Sequence, residues 1–208
     1  MLRLKSATAI ITVVTMVVSA VAILFAGLDF SVAFGGFIPA RLSGHLTLPG
    51  ALPDMVTPFS SALLHGGWIH LFINMLVLVY VGTQVERVIG AGGVLFAYLI
   101  GAVVSAAAQF AVDPASTIPL VGASGAISAI FGLYALFFGR SKQVTKNRRM
   151  NRWIHAAWLL ATWVVVQWMA GTLAGGQGVL LATPAHIGGF IAGLLMQRPL
   201  LMWRYRKA

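Results

Sequence analysis

The sequence predicts an all-α polytopic membrane protein, a bundle of six transmembrane helices with both termini in the cytoplasm. Three observations point there. Of 208 residues, 59% are apolar and only 9% are charged, where a soluble domain carries about 25% charged residues. The mean hydropathy is +0.91. The basic residues also fall on alternate connections between apolar runs, which is the signature of membrane topology. A span needs roughly 20 apolar residues, so six short-looped helices take up most of the chain. Residues 1–208 read as one membrane domain, with no room for a separate soluble one.

The first span is expected over 7–27, after Arg3 and Lys5. Its apolar run, Ala7 to Leu28, exceeds the roughly 7–15-residue core of a secretory signal. It therefore reads as a retained helix. Residues 28–67 break the pattern with Gly35-Gly36, Pro39, Gly44, Pro49-Gly50, Pro53 and Pro58, interleaved with Phe34, Phe37, Leu46, Leu48 and Met55. Loops this long tend to be functional or disordered. The apolar content predicts a compact loop with some short helix, lying partly in the outer leaflet. Spans follow over 68–85, 92–112, 124–139, 153–172 and 184–200.

Orientation follows from charge. Arg87 closes the second span, and Arg140, Lys142, Lys146, Arg148, Arg149 and Arg152 fill the loop after the fourth. Arg198, Arg204, Arg206 and Lys207 end the chain. Every Lys and Arg except Arg41 thus falls on one side, which is the cytoplasm. Asp29, Asp54 and Asp113 lie opposite. The net charge of +10 would suggest nucleic acid in a soluble protein. Here its placement assigns it to topology and anionic lipid, with no nucleic-acid partner.

Several chemistries are excluded by residue type. The absence of cysteine rules out a thiol nucleophile, a disulfide and a Cys-based metal site. There is no H-E-x-x-H zinc motif. No aspartate lies within a span, which excludes a two-aspartate protease. Gly122-Ala123-Ser124-Gly125 is not a G-x-S-x-G elbow, and no strand precedes it. No metal and no cofactor are expected.

Four polar side chains from three spans converge on one layer, and proton-handling groups inside a membrane are costly and read as functional. With a rise of 1.5 Å per residue, Ser124 lies roughly 24 Å above Arg140 and His186 about 18 Å above Arg198. His70 and Asn74 lie roughly 25 and 20 Å above Arg87. In a core about 30 Å thick, all four occupy the outer half. His70 and Asn74, at i and i+4, share a helix face. Ser124, Ser128 and Gly132 form a small-residue stripe on the fourth span, and His186, Gly189 and Gly193 another on the sixth. Such stripes let helices approach closely in lipid, which would bring Ser124 to His186. A serine hydroxyl needs a base to become nucleophilic, and imidazole is suited to that. The expected unit is a Ser124–His186 dyad without a third carboxylate member. His70, the Asn74 amide and the Ser124 backbone N–H would donate to the oxyanion. His65 supports the site from just outside, His45 is a loop residue, and His155 is interfacial.

At this point the chain resembles the rhomboid intramembrane serine proteases, in a basic six-helix form. His70-Leu71-Phe72-Ile73-Asn74 resembles the family's H-x-x-x-N on the second helix, with His65 matching an upstream histidine. Gly122-Ala123-Ser124-Gly125 resembles the G-x-S-G heading the fourth helix, and His186 through Gly193 resembles the histidine and glycines of the sixth. Glu86-Arg87 resembles the acidic position that closes the second helix. The resemblance implies a nucleophile at Ser124, a base at His186 and oxyanion stabilisation by His70 and Asn74. It also implies a partly submerged first loop and lateral access for a substrate helix near the second and fifth helices. Two positions depart. The family's Trp-Arg in the first loop corresponds here to Val56-Thr57. The aromatic residue four after the serine, which holds the catalytic imidazole, is Ser128. The expected function is cleavage of transmembrane protein substrates in a bacterial cytoplasmic membrane, with the oligomeric state left open. The alternative from another class is an inactive rhomboid-like protein that binds membrane clients. A small transporter is disfavoured by the lack of buried carboxylates.

Overall fold

The computed structural model describes residues 6–139, 143–173 and 182–206. Among the described residues all regular structure is helical, apart from an isolated β-bridge between Phe37 and Leu120. The helices are α1 (Ala7–Val21), α2 (Leu28–Gly35), α3 (Pro39–Leu42), α4 (Thr57–Ser61), α5 (Trp68–Val77), α6 (Thr83–Val112), α7 (Ser124–Phe138), α8 (Arg148–Leu173) and α9 (Thr183–Arg204). A π-helical segment, Ala22–Ala26, extends α1, and a second, Leu78–Gly82, joins α5 to α6.

Two described stretches, Ala7–Ala26 and Trp68–Val112, can cross a bilayer by length and composition, and α7 is a shorter apolar helix. The second stretch has 45 residues. Straight, it would run about 68 Å, twice a bilayer core of about 30 Å. It is broken at Gly90, whose φ of 78° and ψ of 169° suit a residue without Cβ. The chain turns back there. The Tyr98 hydroxyl donates to the carbonyl of Ala62, a residue that precedes α5, at 3.4 Å; a straight helix would hold the two far apart.

The first helix is apolar on its outside and polar on its inside. Thr8, Thr15 and Ser19 are fully buried, whereas Val13 and Val17 are more than half exposed and Phe25 is 81% exposed. A water-soluble fold would reverse this arrangement. In lipid, small and hydroxyl-bearing residues make the helix contact and large apolar ones face the tails. The N-terminus of α1 is capped from a distance by Glu86. Its carboxylate accepts from the backbone N–H groups of Ala7 and Thr8 at 2.9 and 3.0 Å, and from the hydroxyls of Ser6 and Thr8 at 2.7 and 2.6 Å. A negative charge at free helix N–H groups is a favourable placement. This contact and the one from Ser19 to the Leu63 carbonyl, 2.7 Å, fix α1 antiparallel to α5.

The long connection between α1 and α5 is folded. Phe37 and Leu120 exchange backbone hydrogen bonds of 3.1 and 2.7 Å, and Ala40 N–H donates to Ser116 at 2.9 Å. Arg41 pairs with Asp54 at 2.8 Å and donates to the Leu52 carbonyl at 2.8 Å.

The centre of the bundle is α6, α7 and α9, the most closely packed helices of the chain. Ile127, Ile130 and Leu133 of α7 are completely buried. Glycine sets the spacing. A Cβ on Gly189 would overlap the Gly125 carbonyl, one on Gly193 the Ala129 carbonyl, and one on Gly132 the Phe190 carbonyl. Helices α7 and α9 therefore touch backbone to backbone, the mode expected of small-residue stripes in membranes. On the other side of α7, a Cβ on Gly101 would stand 2.6 Å from that of Ala129. At the α7–α9 contact neither partner can yield, because the overlapping atom is a main-chain carbonyl oxygen. Gly193→Ala is expected to lower stability by about 1–3 kcal/mol or more, the cost of overpacking, as read by reversible unfolding in mixed micelles. A stability within error of the wild type would show that α7 and α9 are not in backbone contact.

Candidate active site

Ser124 is the first residue of α7, and His186 lies in the first turn of α9, just after Pro184. Both are buried, 7% and 4% exposed. The glycine contact that joins the two helices lies one turn further in, so their starts lie side by side. His186 Nε2 is 2.8 Å from Ser124 Oγ. This is within the reach a general base needs.

Gly122 stands where the chain enters α7 with φ of 114°, a backbone conformation that favours glycine. Its N–H donates to the Ser61 carbonyl at 2.9 Å. A Cβ at this position would lie 2.7 Å from His70 Cε1 and 2.8 Å from Nε2. The missing side chain is what allows the His70 imidazole to stand beside the Ser124 loop. His70 Nδ1 accepts from Gly66 N–H at 3.4 Å, which leaves the ring proton on Nε2, the edge toward Gly122. Asn74 is fully buried one turn along α5. Its Nδ2 donates to the His70 carbonyl at 2.9 Å, and its Oδ1 has no hydrogen-bond partner. Ser124, His186 and His70 are thus gathered at one place, while the Asn74 amide is engaged with its own helix. As the first residue of a helix, Ser124 also presents a backbone N–H with no intrahelical acceptor.

His65 is completely buried and ties three segments together. The Ser19 hydroxyl donates to the Leu63 carbonyl, so its oxygen accepts from His65 Nδ1–H at 2.9 Å. His65 Nε2 accepts from the N–H of Ala123 at 3.2 Å. The ring is therefore the neutral Nδ1–H tautomer, holding the peptide that leads into Ser124. Its plane meets that of His70 at 65° with centroids 5.0 Å apart. The other two histidines lie elsewhere: His45 pairs with Ser43 in the first loop, and His155 packs near Gly139.

Residues that the sequence reading did not single out complete the surroundings. Ser105 of α6 is buried where a Cβ on Gly125 or Gly189 would strike it, and its hydroxyl has no protein partner. A small cleft lined by Ser61, Ser105, Gly122 and Ala185 opens on Ser124. Trp163 of α8 donates to Ser128. Neither Ser105 nor Trp163 belongs to a motif, and each is recognisable only once the helices are packed. Of the connection between α8 and α9, residues 174–181 lie outside the described residues. No group of three or more potential metal ligands occurs among the described residues.

Burial, and after it the neighbouring His70 ring, pull the His65 pKa from 6.5 to about 3. The folded state thus prefers the neutral ring, so its contribution to stability is whole above about pH 6.5 and is lost as pH falls from there toward 3. The difference in thermal midpoint between the wild type and His65→Gln is expected to shrink over that range. A difference that stays constant with pH would mean the ring is protonated in the fold or plays no part in it.

Residues 53–203 match the family model of the Rhomboid domain. The chain is 41% identical over 78 residues, 38% of its length, to Rhomboid protease GluP of Bacillus subtilis, of which the match covers 14%. It is 33% identical over 138 residues, 66% of its length, to Rhomboid protease GlpG of Pectobacterium atrosepticum, of which the match covers 46%. The chain thus aligns with less than half the length of either relative.

Proposed function

The chain belongs to the rhomboid family, and from that premise we propose that it is an intramembrane serine endopeptidase that cuts transmembrane protein substrates. The observation that supports this most is the hydrogen bond of 2.8 Å between His186 Nε2 and Ser124 Oγ, two residues from different helices buried at one level. In the proposed mechanism His186 takes the Ser124 proton as Oγ attacks the scissile carbonyl. The resulting oxyanion is met by His70 Nε2–H, the Ser124 backbone N–H and the second N–H of the Asn74 amide, whose other N–H holds the His70 carbonyl. His186 then protonates the leaving amine, and water hydrolyses the acyl-enzyme. No metal or cofactor takes part in these steps.

The proposed arrangement in the membrane is the six-span topology with cytoplasmic termini, in a bacterial inner membrane. The whole chain acts as one domain. Water reaches Ser124 from the outer side through the cleft beside Ser61 and Ser105. A substrate helix must unwind locally to expose its carbonyl, so small or helix-breaking residues near the cut are favoured. The client-binding alternative would keep a hydrogen-bonded serine and histidine buried without use, at the usual cost of polar groups in a membrane.

The test is proteolysis of a transmembrane reporter by the purified protein in lipid vesicles, with fluorophosphonate labelling in parallel. Ser124→Ala and His186→Ala are expected to abolish cleavage, and Ser124→Ala to abolish labelling. His70→Ala is expected to lower kcat about 10²-fold, the loss seen on removing one oxyanion donor. A wild type that neither cleaves nor labels would turn the proposal to client binding.

A further inference from the structure

Trp163 lies midway along α8 and is 2% exposed, while Trp158 and Trp168 of the same helix are 64% and 44% exposed. Its indole N–H donates to Ser128 Oγ at 2.7 Å. The Ser128 hydroxyl in turn donates to the carbonyl of Ser124 at 2.7 Å. The indole also meets the His186 imidazole edge to face, with centroids 6.5 Å apart and planes at 67°. It packs on Phe131 at 5.4 Å, and Phe131 touches Phe190, one turn beyond His186. One side chain from a third helix thus reaches the backbone of Ser124 and the ring of His186 together.

We propose that Trp163 is a positioning residue for the Ser124–His186 pair, a role that rests on reading that pair as nucleophile and base. A buried indole N–H needs an acceptor, and Ser128 is its acceptor here. Ser128 can accept from the indole and still donate to the Ser124 carbonyl, because a hydroxyl does both. The chain of two bonds therefore fixes the peptide that follows the nucleophile. Edge-to-face packing at this separation is a preferred aromatic geometry, and it limits the orientations open to the imidazole. On the other side, a Cβ on Gly189 would lie only 3.1 Å from that of Ser128, so glycine at 189 is what lets α9 pass beside it. The aromatic neighbour of the imidazole comes from α8, and Ser128 accepts its hydrogen bond. Trp163 also ties the seat of α8 to the site, being the only large apolar side chain of that helix that is fully buried among the described residues.

The experiment compares wild type, Trp163→Phe, Trp163→Leu, Ser128→Ala and the double variant Trp163→Phe/Ser128→Ala, each as the full chain in lipid. Three quantities are read: kcat and KM on a transmembrane reporter, the rate of fluorophosphonate labelling per folded molecule, and the His186 ring resonances by ¹⁵N NMR. Trp163→Leu is expected to lower kcat and the labelling rate about tenfold, a modest case of misplaced catalytic geometry, with KM within about twofold. Trp163→Phe keeps the ring and falls between. The double variant is expected to be no worse than the poorer single one, because both partners of the bond are gone. The His186 resonances are expected to shift in Trp163→Leu. Unchanged labelling per folded molecule, or unchanged His186 resonances, would overturn the proposal and leave Trp163 as an anchor for α8 alone. A wild type that neither cleaves nor labels would instead defeat the protease reading, and the His186 resonances would still decide whether the indole orients the ring.

Discussion

The contact between α7 and α9 is the constraint on which the rest of the structure depends. Membrane helices gain little from hiding apolar surface from one another, because lipid is apolar as well. What holds them is close packing, and here glycine makes it close enough for main chain to touch main chain. The consequence for chemistry is direct. Ser124 heads one of the two helices and His186 lies in the first turn of the other. The spacing set at Gly125, Gly189, Gly132 and Gly193 therefore sets the distance between Oγ and Nε2. The hydrogen bond at the site is an outcome of helix packing, and no loop is needed to close it.

The rest of the bundle fixes the level at which that pair stands. Glu86 holds the start of α1 at one end, and Ser19 with Leu63 and His65 holds its far portion at the other. Both ring nitrogens of His65 are engaged, one toward α1 and one toward the peptide before Ser124. A change in the seat of α1 would therefore reach Ser124 through a single imidazole. Gly122 performs a complementary task. Its left-handed backbone and absent Cβ leave space for the His70 ring beside the serine. Histidines at 65 and 70 thus differ in role although they are near neighbours in sequence. One holds the loop, and the other turns its Nε2 edge toward Gly122, beside Ser124.

Much of this was legible in the sequence, for physical reasons that can be named. Ser124, His186 and His70 could be placed at one level because helix rise converts sequence distance from the basic ends into depth. The approach of α7 to α9 was legible because small residues repeat at i and i+4 on both. Asn74 was less so. Sequence gives its face and depth, but whether its amide points outward or back to the carbonyl of His70 is a rotamer choice, and the fold takes the second. Ser105 and Trp163 were not legible at all. A serine on an apolar helix and a tryptophan among several on α8 carry no spacing signal. Only the packing selects which tryptophan is buried and which three face outward.

The two departures from the family pattern illustrate the same principle. The first loop has Val56-Thr57 where the family has Trp-Arg. In the structure an arginine from another part of the loop, Arg41, pairs with Asp54 and holds the Leu52 carbonyl, so the loop is cross-braced from a different position. The second departure is the serine at 128, which suggested an imidazole without an aromatic neighbour. There the ring is supplied by α8, and Ser128 is the hydroxyl that binds it. In both cases the physical requirement stays in place while the residue that meets it moves along the chain. Each replacement also obeys a local constraint. Arg41 is 8% exposed at its side chain and has a carboxylate and a carbonyl within reach. Ser128 lies between an indole donor and the Ser124 carbonyl, and its hydroxyl serves both. A missing motif residue therefore weakens a functional reading only when no other side chain occupies the space and makes the bond that the motif residue would have made.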